Sequence, residues 1–193
     1  EKPIWIDLAY ATYRPAAVPG FWITGGKFRN PFQTSSLFID PDVNPEGVYA
    51  QYTFSGLGPV EPFVGSGFFM LEESGQGHDA DMHGYTVGAA WTITDDVTWT
   101  VAANVWDYDN YEDAPVSDRG NTSGWTRDFL VVNLHTTVDF LAFELPWSVF
   151  FDYAHNCGGA ESDPQLAGMD NAYHAGVKVG KNKKKGDWSA SYQ

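Results

Sequence analysis

Along this chain, hydrophobic and polar positions alternate with a period of two in one segment after another. Ile4, Ile6, Leu8 and Tyr10 interleave with Trp5, Asp7, Ala9 and Ala11. Val97, Trp99, Val101, Ala103 and Val105 interleave with Thr98, Thr100, Ala102, Asn104 and Trp106. Leu130, Val132, Leu134, Thr136, Val138 and Phe140 face away from Val131, Asn133, His135, Thr137 and Asp139. Trp147, Val149, Phe151 and Tyr153 alternate with Ser148, Phe150, Asp152 and Ala154. This period marks strands with one apolar face and one small or wet face. It predicts ten strands, near 3–14, 21–29, 47–55, 60–72, 83–92, 97–108, 128–140, 147–156, 170–181 and 187–193. Most match the ~9–11 residues with which a tilted strand crosses a bilayer.

The connections between them alternate short and long. Short ones fall around 15–20, 56–59, 93–96, 141–146 and 182–186; long ones around 30–46, 73–82, 109–127 and 157–169. All long loops then leave one end of the sheet, the arrangement of outer-membrane barrels with short periplasmic turns and long extracellular loops. The expected fold is therefore an all-β antiparallel transmembrane barrel, with residues 1–193 forming a single barrel domain. Its apolar face (Ile4, Ile6, Leu8, Tyr52, Phe54, Val87, Trp91, Trp99, Val132, Leu134, Tyr173) would meet lipid. The lumen would carry Asp7, Gln51, Asn104, Asn133, His135, Thr137, Asp139, Asp152 and Asp187. A soluble secreted β-sandwich or adhesin, binding a ligand through its long loops, predicts the same alternation and is the alternative.

Composition narrows the function. Asp and Glu total 25 against 11 Lys and Arg, a formal charge of −14, which excludes a phosphate-backbone partner and so a nucleic acid. Mean hydropathy is −0.31, with no apolar run near the ~18 residues of a membrane helix, a test that barrels escape because only alternate residues meet lipid. Cys157 stands alone, so no intrachain disulfide forms.

Candidate chemistry concentrates at the second strand and after it. Lys27 and Arg29 share a strand face, and the 30–46 loop that follows holds Asp40, Asp42 and Glu46. If that loop folds into the lumen, its carboxylates oppose a basic wall across a constriction, and the transverse field selects solutes. The plain alternative is a solvated rim. Asn133, His135 and Asp139 line the same pore. His78, Asp79, Asp81 and His83, and separately Asp107, Asp109, Glu112 and Asp113, resemble metal-ligand material. Neither has EF-hand spacing or a helical His pair, so no cofactor is expected beyond Ca²⁺ in an extracellular loop as a lesser alternative. His135, Thr137 and Asp139 sit on one face, but a spacing of two puts neighbours ~7 Å apart, long for a nucleophile and its base. No Gly-x-Ser-x-Gly elbow occurs, and no catalytic residue is assigned. His155 and His174 are read as polar-face residues without a visible partner.

The stretch Gly26-Lys27-Phe28-Arg29-Asn30-Pro31-Phe32, followed by Asp40-Pro41-Asp42-Val43-Asn44-Pro45-Glu46-Gly47-Val48, resembles the "putative porin" family of Gram-negative bacteria. The resemblance is specific over about 21–55. It implies a many-stranded outer-membrane channel for passive diffusion of small hydrophilic solutes, with lipid as its surroundings, trimers as the family's assembly and no enzymatic activity. It also implies a larger barrel. With long loops outside, ten strands leave both chain ends outside, so at least one further strand is expected before Glu1 and one after Gln193. Two features depart from the pattern: the last segment lacks a terminal aromatic, and Lys181 to Lys185 place a basic cluster in a short turn.

Overall fold

The computed structural model describes residues 6–36, 39, 43–72, 79–109, 129–158, 168 and 170–193. They form one antiparallel sheet of ten strands, each paired with the next in sequence. The strands are β1 (Ala9–Tyr13), β2 (Phe21–Lys27), β3 (Glu46–Thr53), β4 (Val60–Glu72), β5 (Ala80–Thr94), β6 (Val97–Asp109), β7 (Phe129–Ala142), β8 (Leu145–Asn156), β9 (Asn171–Gly180) and β10 (Ser189–Tyr192). The central strands run 12 to 15 residues, long enough to span a bilayer at a tilt. β5 starts earlier than its apolar alternation suggests and takes Asp81 and His83 into the sheet. The strand ends joined by 14–20, 54–59, 95–96, 143–144 and 181–188 lie at one edge of the sheet, and those between which 28–45, 73–79, 110–128 and 157–170 intervene in sequence lie at the other. The sorting holds, although 73–79 is no longer than 14–20. At 143–144 the turn is tight, and Phe143 and Glu144 both take positive φ, as a two-residue hairpin of matching twist requires.

Burial is inverted relative to a soluble protein. The face holding Thr24, Thr86, Asn104, Asn133, His135 and Asp152 is buried. The opposite face leaves Val64, Phe68, Val87, Trp91, Trp99, Val101, Leu134, Val149, Phe151 and Tyr173 exposed. A sandwich would cover these with a second sheet; among the described residues none does. On β6 the apolar band runs from Val97 to Val105 and stops at Asp107 and Asp109. Nearby it stops at His83 on β5 and His155 on β8. Eight residue steps span about 27 Å along the strand, or about 21 Å at a tilt of about 40°, near the ~25 Å apolar belt of outer-membrane barrels. Trp91 stacks on Trp99, and Phe140 on Trp147, towards the short-turn end, where an interfacial girdle belongs.

Placements differ from the sequence expectation in β1, at His155 and at Asp187, whose carboxylate accepts from the Lys183 and Lys184 N–H groups within the 181–188 turn and lines no strand face. Tyr10 pairs with Gly26 and Thr12 with Thr24, and Thr12 Oγ1 donates to Thr24 Oγ1 at 3.0 Å. The alternation in β1 therefore has the opposite phase: Tyr10 and Thr12 share the loop-covered face, and Leu8 falls in step with them. Both of its faces carry apolar or small residues, so periodicity fixed the strand but not which side faces lipid. His155 pairs with Val132 on the lipid-side face, not the polar one.

Leu134 sits in the middle rows of the apolar band and is 52% exposed, whereas Val132 is one row nearer the polar boundary. Leu134→Arg should cost about 2–4 kcal/mol of folding free energy in bilayers, and Val132→Arg less. Urea titration of the two variants in lipid vesicles checks the order.

Candidate functional site

The chain leaving β2 crosses the polar face of the sheet. Phe28 closes the strand, donating from its N–H to Pro45 O at 3.0 Å. Asn30 Oδ1 then accepts from the N–H of Phe32 at 3.0 Å, an Asx turn held extended at its first residue by Pro31. This turn drives the Phe32 ring into the sheet. Its centroid lies 5.4 Å from Tyr49, 5.8 Å from Phe69 and 5.6 Å from Trp106, all edge-on. Such pairs add to the burial itself. Gly84 makes the room: a Cβ there would lie 2.3 Å from the Phe32 ring tip.

Beyond the aromatic anchor the loop is held by polar contacts. Asn104 Nδ2 donates to Gln33 O at 2.8 Å and to Asn133 Oδ1 at 2.8 Å. Asn133 Nδ2 donates to Asp152 Oδ1 at 2.9 Å. The Ser35 N–H donates to Asp152 Oδ2 at 3.1 Å, and His135 Nδ1 lies 2.9 Å from that same oxygen. An ionised Asp152 only accepts, so Nδ1 carries a proton, and Nε2 lies 3.1 Å from Thr137 Oγ1. His174 Nδ1 lies 2.7 Å from Ser35 Oγ, and Gln193 Nε2 donates to Ser36 Oγ at 3.5 Å. Asn104, Asn133 and Asp152 are fully buried and share two side-chain hydrogen bonds in series, so the loop rests on a rigid polar row.

This path fixes the shape of the sheet. From β2 to β9 is seven strand spacings, about 34 Å if flat. The eight steps from Lys27 to Ser35 span at most about 28 Å fully extended, and the chain turns at Asn30. The sheet must curl around the loop, as part of a barrel wall does.

The residues expected at a constriction are dispersed. Asn133 and His135 join the loop anchor. Lys27 stands directly opposite Glu46 in the register, one residue out of step with Gly26 and Phe28, so both fall on the face away from the loop. Arg29 and Glu46 are exposed. Asp40 and Asp42 lie outside the described residues. Asp139 is exposed on the loop-covered face, opposite Ser148, and beyond Ser148 stands Lys178, a cation the sequence reading did not place in the lumen. His174, expected to lack a partner, holds the loop through Ser35.

His135 and Thr137 are closer than the ~7 Å expected for residues two apart on one strand. Their side chains lean together to 3.1 Å, completing a hydroxyl–imidazole–carboxylate chain with Asp152 from the next strand in place of Asp139. That carboxylate also holds the loop backbone and Asn133, so the chain serves as an anchor.

Two acidic groups that look separate in sequence meet in space. Asp81 pairs with Asp109, and with His83 their ligand atoms lie within 4.8 Å of one another. His83 Nε2 is 3.8 Å from Asp81 Oδ1 and 3.7 Å from Asp109 Oδ2. This is the set among the described residues that could hold a metal. It lies on the lipid-side face at the long-loop end, away from the loop. His78, Glu112 and Asp113 lie outside the described residues.

No curated protein and no solved structure is matched by the chain. One family model, described as "Putative porin", matches residues 1–124. That segment contains the first six strands and the whole 28–45 connection, while Asn133, His135 and Asp152, which hold the loop from the far side, lie beyond it. With most of its length matched by that model and its sheet turned polar side inward, the chain belongs to the "putative porin" family.

Proposed function

We propose that the protein is an outer-membrane channel for passive diffusion of small hydrophilic solutes, narrowed by the 28–36 segment. The observation that carries this reading is a loop pinned across the polar face of an inside-out sheet. Porin-like function is what the family match supports; the diffusing solutes and the constriction are our reading. The pore is water-filled, and passage is set by the width the loop leaves and by charges beside it. Backbone groups at the outer edges of β1 and β10 cannot stay unpaired in hydrocarbon.

The field across this pore is set by Asp139 and Lys178, two strands apart on the lumen face. Lys27 and Arg29 act only at the rim. Reconstitution in planar bilayers under a salt gradient tests this. The wild-type protein should give discrete conductance steps. Lys178→Ala should shift the reversal potential towards cation preference, and Asp139→Ala towards anion preference. The Lys27→Ala, Arg29→Ala pair should leave it nearly unchanged. A larger shift from the rim pair than from Lys178→Ala would return the constriction charges to the β2 end.

A further inference from the structure

Below the anchored loop, on the lumen face, lies a cavity of about 300 Å³, between Thr34–Ser36 and strands β7 and β8. Its size is at the small end of ligand pockets. Thr34, Ser35, Ser36 and Thr137 line it with hydroxyl residues, Gln193 with an amide, Phe150 with a ring and His135 with an imidazole already bonded to Asp152 and Thr137. The Phe150 ring is fixed from behind. A Cβ at Gly176 would lie 2.6 Å from its atoms, so the ring lies flat on the glycine, and His174 abuts it edge-on at 5.1 Å.

We infer that this cavity is a binding subsite for a neutral polyhydroxylated solute the size of one hexose ring. The inference rests on the channel reading and names its solute class. Hydroxyls both donate and accept, so a wall of hydroxyls and an amide meets sugar hydroxyls in many orientations. The immobile ring offers an apolar surface to the C–H face of the sugar. Its fixed position means little side-chain entropy is lost on contact. The nearest carboxylate, Asp152, is buried behind the wall and already taken up by the Ser35 N–H, Asn133 and His135, so an ionic solute finds no free charge there to offset its lost hydration. The next lumen charges, Asp139 and Lys178, are one strand row further towards the short turns and of opposite sign.

The test is ion-current block in planar bilayers by glucose, compared with gluconate, its anionic analogue of similar size. Glucose should reduce the current of the full-length protein at a concentration at least 3-fold below that of gluconate. Phe150→Ala should raise the half-blocking glucose concentration 3-fold or more, and Phe150→Tyr should restore it. If Phe150→Ala does not fold, Ser36→Ala, which removes one hydroxyl, should raise it about 2-fold. A conducting channel that glucose and gluconate block equally, or that glucose blocks equally in wild type and Phe150→Ala, overturns the subsite and leaves the channel. Absence of any conductance overturns both.

Discussion

Replacing Asp152 by alanine is expected to release the loop and widen the pore. The carboxylate accepts from the Ser35 N–H, from Asn133 Nδ2 and from His135 Nδ1, in a site without solvent exposure. Removing it leaves two buried donors and the half-buried Ser35 N–H without their acceptor; each buried one costs about 1–3 kcal/mol, so about 2 kcal/mol or more is lost. Part of that loss is recovered if the loop swings into water, where Ser35 finds new partners. The expected phenotype is therefore a less stable protein with a larger and noisier single-channel conductance. Asp152→Asn should fall between, because its amide keeps one acceptor but turns two hydrogens towards existing donors. Urea midpoints in micelles and conductance histograms measure the two effects. Unchanged conductance in a folded Asp152→Ala protein would show that Asp152 does not hold the loop.

Phe32→Ala should have the second large effect, through a different force. Phe32 is 6% exposed and lies among Tyr49, Phe69 and Trp106, themselves almost fully buried. Emptying such a site costs about 3–5 kcal/mol, from lost transfer energy and the cavity left behind. Water should then reach Trp106, shifting its fluorescence to the red, and conductance should rise as for Asp152→Ala. The combined variant is informative because both residues fix one segment. If either anchor alone is required, the conductance of the double variant should barely exceed that of the larger single variant. Full additivity would mean that the two ends of the loop move independently.

Much of the fold was legible because the apolar band repeats on strand after strand. In β6 and β7 a one-residue error would turn Trp99, Val101 and Leu134 into the lumen, so hydrophobicity fixes their phase. In β1 it cannot, since Ala9 and Ala11 oppose Tyr10 and Thr12 with little contrast, and pairing with β2 decides instead. The polar row Asn104, Asn133, Asp152 was readable as lumen; its purpose was not. The loop docks through Phe32, whose pocket is built by glycine and aromatic residues from four different strands (Tyr49, Phe69, Gly84 and Trp106), while sequence drew attention to its carboxylates. Lys27 and Lys178 show the same limit. The first is conspicuous beside a motif, yet register puts it outside the lumen, whereas the second lies in an unremarkable strand and register puts it inside. Asp81 and Asp109 meet only because β5 and β6 pair with that offset.

In a channel of this build the loop-covered face should border a water-filled pore and the opposite face lipid. Single cysteines at Thr137 and Leu134, in a background where the exposed Cys157 is serine, test it directly. A charged, water-soluble methanethiosulfonate reagent added to the open channel should lower conductance through Thr137→Cys and leave Leu134→Cys unaffected. Current reduced through Leu134→Cys with Thr137→Cys silent would contradict the assignment of pore and membrane faces.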